Sequence, residues 1–114
     1  MREIHFYRTP SGHCPVEDFL DSLPSKTAQK VVWVLQLIEE LDTVPTTYLK
    51  KLDGTYDLWE IRVQAGSASI RLLGFFAGRN LFVLNHAFVK KTNKTPLKDI
   101  KLAETRKRDY IRLN

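Results

Sequence analysis

Four cations stand at intervals that neighbouring strands would bring together: Arg62, Arg71, Lys90 and Lys91. Arg62 and Arg71 lie in two apolar-alternating runs joined at Ala65-Gly66-Ser67, a hairpin spacing that puts both side chains on one face. The next run ends in Lys90-Lys91, followed by Asn93-Lys94. Such a cluster suits phosphodiester cleavage by a neighbouring 2′-hydroxyl. The pentavalent transition state carries extra negative charge on the phosphate oxygens, and fixed donors stabilise it. Arginine offers a bidentate fork; lysine offers a point charge that can also pass a proton when its pKa is lowered. The same cations can equally bind a nucleic-acid backbone without cutting it.

Around them stand further candidates. Glu60 falls on the same strand face as Arg62. It either accepts the 2′-hydroxyl proton or pairs with the arginines. Tyr110 either stacks on a base, donates to a leaving oxygen, or packs a terminal helix. His86, in the middle of an apolar run, reads as a buried, hydrogen-bonded histidine. Arg79, Lys94 and Lys98 extend the surface along which RNA would lie. His5, His13 and Cys14 lack zinc-site spacing, and the few glycines sit at turns rather than in a phosphate loop. Neither a metal nor a cofactor is expected.

The charge of the chain is unevenly placed. Residues 1–57 hold 6 Lys/Arg against 9 Asp/Glu, and residues 58–114 hold 12 against 4. A basic half points to a phosphate-rich partner, with a solvated basic face as the plain alternative. The 114 residues suffice for one domain, 1–114, with a core of its own. A lone cysteine, no signal-type apolar segment and no apolar run of membrane length make the cytoplasm the expected compartment.

The elements that must position the cluster can be read in order. Ile4–Arg8 reads as a first strand and Pro15–Leu20 as a short helix with proline and acids in its opening turn. Ser25 is placed to cap a helix to about Leu41, with a stripe of Ala28, Val31, Val34, Leu35, Ile38 and Leu41. Trp33 and Leu37 pair on another face, either against the short helix or as an exposed patch for a partner. Three strands follow, Leu58–Val63 with Trp59, Ile61 and Val63 inward, Ala68–Phe76, and Leu81–Phe88, apolar on both faces. Thr95-Pro96 opens a last helix to about Arg112, with Leu97, Ile100 and Ala103 at core spacing. The expectation is an α+β fold in the order β-α-α-β-β-β-α, a four-stranded, mainly antiparallel sheet with helices packed on it.

Four segments together resemble a known family: Pro15 to Pro24, Leu58-Trp59-Glu60-Ile61-Arg62, Ile70-Arg71-Leu72, and Phe88-Val89-Lys90-Lys91-Thr92-Asn93-Lys94-Thr95-Pro96. Their order is similar to that of the HigB-like, phage-derived toxins of the RelE/ParE superfamily, over nearly the whole chain. The resemblance implies a metal-independent endoribonuclease that cuts messenger RNA, typically on the ribosome, and that a helix-turn-helix antitoxin neutralises. By that likeness Arg62, Arg71, Lys90 and Lys91 match the catalytic cations of the RelE group. Glu60 stands where some relatives carry lysine, and Tyr110 matches their carboxy-terminal tyrosine or histidine only loosely. ParE-like members of the same fold inhibit DNA gyrase, and a non-catalytic basic nucleic-acid binder is also compatible, so the fold alone assigns no activity.

Overall fold

A computed structural model describes Arg2 to Leu113. Among these residues the order is β1 (Glu3–Phe6), α1 (Pro15–Asp21), α2 (Ser25–Glu40), β2 (Leu49–Lys51), β3 (Trp59–Ala65), β4 (Ala68–Phe76), β5 (Leu81–Val89) and α3 (Leu97–Leu113). The strands form one mixed sheet in the order β1-β5-β4-β3-β2. The fold is α+β, as the alternation of periods indicates, with one strand more than the expected four. β2 is three residues long, too short to show a period of two, and it forms because its backbone completes the edge of β3, opposite Trp59 to Ile61. The first strand runs parallel to β5 and the other pairs are antiparallel.

The sheet is covered on both sides. Val31, Val34, Leu35 and Ile38 of α2 and Val16 of α1 meet Ile61, Val63, Ile70, Leu72, Phe82 and Leu84 in the main core. On the other face α3 lays Ala103 and Ile100 on Leu58 and Leu73, while Tyr110 joins Tyr7, Phe75 and Val83. This double cover is why β5 is apolar along both sides. A two-residue loop, Gly66-Ser67, links β3 to β4, and the positive φ of Gly66 (60°) is one that a side chain would strain. Gly74 answers a different need. A Cβ there would stand 2.2 Å from the Val83 carbonyl oxygen, so only glycine lets β4 and β5 close at the register shift beside it.

Three local expectations are corrected. Ser25 is the first helical residue rather than the cap, Pro24 occupies the cap position, and no side chain bonds there. Leu97 is 64% exposed, because α3 begins to lean on the sheet only at Ile100. Trp59 points inward as expected, packed against the main core, and meets Phe76 edge-on at 5.3 Å. Trp33 does not pack on the short helix. It stands 47% exposed, edge-on to Tyr48 at 6.3 Å, with the Lys30 ammonium 4.8 Å from its ring centre. Leu37 beside it is half-buried.

Candidate active site

The hairpin does what its spacing promises. Arg62 on β3 lies directly opposite Arg71 on β4, and residues in register share a face. Like charges in that position repel, so the pair needs a counter-ion. Glu60, two residues before Arg62 and therefore on the same face, supplies it. Its Oε1 lies 3.5 Å from Nε of Arg62 and 3.5 Å from Nε of Arg71. The Thr95 hydroxyl, from the loop that opens α3, donates to Oε2. Glu60 is only 3% exposed, and a carboxylate so buried is tolerable only with partners of this kind.

The guanidinium of Arg71 is largely enclosed, its side chain 12% exposed, and one Nη donates to the Ile70 carbonyl at 3.0 Å. Burial lowers the Arg71 pKa, Glu60 opposes the shift and Arg62 adds to it, yet an arginine stays charged at neutral pH. Lys90 sits at the end of β5, its backbone N–H bonded to Ser69 at 2.7 Å. Burial pushes its ammonium below the ordinary lysine value, the nearby Arg71 pushes the same way, and Arg62 adds less. Glu60, Arg62, Lys90, Asn93, Lys94 and Thr95 line one open hollow, joined by Lys50 and Lys51 of β2. The arrangement can hold an oxyanion between fixed guanidinium groups and offer it a proton from a lysine.

Other expected residues lie elsewhere. Lys91 is exposed beside Lys90, and Lys98 is exposed in the first turn of α3. Arg79 is in the β4–β5 turn, at the opposite end of that hairpin from Lys90. Tyr110 meets Phe75 edge-on at 5.4 Å. Phase along β4 puts Phe75 roughly 13 Å from Arg71, so Tyr110 is not part of the cluster.

The model of the family described as phage derived protein Gp49-like (DUF891) matches residues 18–108, which span α2, the four strands β2 to β5 and most of α3. This chain belongs to that family. The Gp49-like family is associated with toxins of toxin–antitoxin pairs of the RelE/HigB type, which gives this Gp49-like chain an antitoxin as the partner in keeping with its family. A comparison with curated proteins finds no match. No helix among the described residues is long and apolar enough to cross a membrane.

Sequence reasoning missed three contributors of the Gp49-like site. Lys50 and Lys51 belong to the strand too short to be seen, although Leu49-Lys50-Lys51 next to a hairpin was the available signal. Thr95 was read only as the start of a helix. The third is the set of partners around His86, itself enclosed and hydrogen-bonded as expected. His86 Nε2 lies 2.7 Å from Asp99 Oδ1, and Arg106 reaches both the Asn85 carbonyl (2.8 Å) and His86 Nδ1 (3.3 Å). With the Asn85 amide donating to the Ala103 carbonyl at 2.8 Å, it fastens α3 to β5.

That network has a pH signature. Burial holds the His86 pKa below its ordinary 6.5, outweighing Asp99, while Arg106 lowers it further. A base with a depressed folded-state pKa contributes stability in full above 6.5, and that contribution is lost as pH falls through the folded value. The expected result is a melting temperature that declines as pH falls below 6.5. His86→Gln should flatten the profile in that interval while lowering stability at pH 7. An unchanged slope in the variant would show that His86 does not set it.

Proposed function

We propose that this Gp49-like protein is the toxin of a type II toxin–antitoxin pair and a metal-independent endoribonuclease that cuts messenger RNA, in association with the ribosome. The observation that carries the reading is the Arg62–Arg71 pair, in register and ion-paired at 3.5 Å with one buried glutamate, with Lys90 beside it. A partly buried cation pair set around a buried carboxylate is costly to fold and suited to charge that develops in a transition state.

In the proposed reaction the RNA 2′-hydroxyl passes its proton to solvent water as its oxygen attacks the adjacent phosphorus, and the bond to the 5′-oxygen breaks. The products are a 2′,3′-cyclic phosphate and a 5′-hydroxyl. Arg62 and Arg71 hold the two non-bridging oxygens and stabilise the added charge. Lys90, with its lowered pKa, gives the leaving oxygen its proton. Glu60 acts as a positioning residue, since its two oxygens already serve two guanidinium groups and a hydroxyl. Lys91, Lys94 and Lys98 guide the flanking backbone. A helix-turn-helix antitoxin with an acidic segment would silence the enzyme by covering this basic face.

Inducing the protein alone should stop growth, and primer extension should show new messenger ends inside reading frames within minutes. Co-expression of the neighbouring gene should restore growth. Intact transcripts together with accumulated gyrase-cleaved DNA would overturn the reading in favour of a gyrase inhibitor.

A further inference from the structure

β2 covers β3 only as far as Ile61; there the Arg62 N–H donates to the Tyr48 carbonyl at 2.8 Å, and residues 63–65 lie at an open sheet edge. At that edge lies a second hollow of about 510 Å³, within the range of small-ligand sites. Arg62 and Arg71 line it on one side, and Tyr48, Thr46, Thr47 and Lys30 on the other. Arg62 therefore borders both hollows, the lysine-rich one and this one. The lysine-rich hollow has no aromatic ring in its lining, whereas here the cations are joined by a tyrosine ring and two threonine hydroxyls. Trp33 braces that ring edge-on, and Lys30 lies against Trp33.

A phosphate clamp continuous with an aromatic wall fits one chemical class, a nucleotide with its base unstacked. The base finds a π-face, its polar edge finds hydroxyls, and its phosphate reaches the guanidinium groups. We infer that the Tyr48 hollow is a nucleobase subsite, taking the base next to the phosphate held by Arg62 and Arg71, while the strand leaves across Lys90 and Lys94. This rests on the reading of the cation cluster as a phosphate site for RNA. Trp33, which the sequence suggests as a partner patch, then serves as the brace of this subsite.

The test uses the full chain and a labelled oligoribonucleotide protected throughout by 2′-O-methyl groups, so that it cannot be cut. One abasic nucleotide is stepped through the sequence, and affinity is read by fluorescence anisotropy. Base stacking on an aromatic side chain is worth about 1–3 kcal/mol, so one position should stand out by roughly tenfold when its base is missing. Tyr48→Leu, which keeps apolar bulk for folding, should erase that dip; Tyr48→Phe should keep it. Arg71→Ala should weaken the whole series evenly and leave the dip in place. A flat series with wild-type protein, no binding at all, or a dip that survives in Tyr48→Leu would overturn the subsite. Unprotected RNA is incubated in parallel, both alone and engaged on ribosomes. Failure to cut it while the dip persists refutes the endoribonuclease reading and sustains the subsite; cutting with a flat series does the reverse.

Discussion

Arg71→Ala should slow single-turnover RNA cleavage by about a hundredfold or more, the loss of roughly 3 kcal/mol of transition-state stabilisation. The loss should fall on the chemical step, with RNA affinity changing far less, because the charge that Arg71 meets grows only as the phosphorus becomes pentavalent. Its folding consequence is larger than a strand-face arginine would suggest from sequence. The side chain is mostly enclosed and is one of two guanidinium partners of Glu60. Its removal should cost about 1–3 kcal/mol of stability, the range for charge-assisted contacts. Thermal melts and cleavage rates measured below the melting point separate the two effects. Arg71→Lys keeps the charge and should recover stability better than rate, since one ammonium cannot reproduce the fork. A folded Arg71→Ala protein that cuts at the wild-type rate would remove this cluster from the mechanism.

Glu60→Ala should have the largest effect on stability of any single charge change, about 3–5 kcal/mol. It leaves Arg62 and Arg71 facing one another across the strands with no counter-ion, and it strands the Thr95 hydroxyl. Glu60→Gln keeps the shape and a carbonyl acceptor and should cost less. The decisive comparison is the pair Glu60→Ala with Arg71→Ala. If Glu60 exists to hold the arginines, the double variant should be more stable than the sum of its two single losses, by about 0.5–3 kcal/mol. Denaturant unfolding of all three proteins reads this directly. Strict additivity would show that the carboxylate and the guanidinium do not act as a unit. A proton-accepting role for Glu60 makes no such demand on stability, so the cycle also tells the two functions apart.

Much of this arrangement was legible before any coordinates. Period-two alternation put Arg62 and Arg71 on one face, and the hairpin spacing set them side by side. The helix stripe Val31, Val34, Leu35 and Ile38 was readable because a 16-residue helix repeats its period several times. The three residues of β2 repeat nothing, so the strand left no period to read, and only the lysine pair beside the hairpin hinted at it. Long-range facts were equally out of reach: a parallel first strand, Thr95 bonded to a residue 35 positions away, and Tyr110 packed beside Phe75 rather than near the lysines. Those depend on how helices settle on the sheet, which local pattern does not encode. Glu60 illustrates the boundary. Its face was readable; its depth of burial, which makes it a counter-ion, was a property of α3 and its preceding loop.

The parallel seam between β1 and β5 has a kinetic meaning. Glu3 meets Leu81 and Phe6 meets Leu84, so β1 finds its strand partner only after β2, β3 and β4 have been made. The arginine hairpin, closed by two residues, carries almost no loop-closure entropy; the seam carries the largest in the sheet. Such non-local pairing slows folding. During translation the β3–β4 hairpin can form as soon as it emerges, but Thr95 must follow before its glutamate is fully satisfied, and β1 must wait, unpaired, for β5. A nascent chain thus carries its cations for some time before it has the scaffold that aims them.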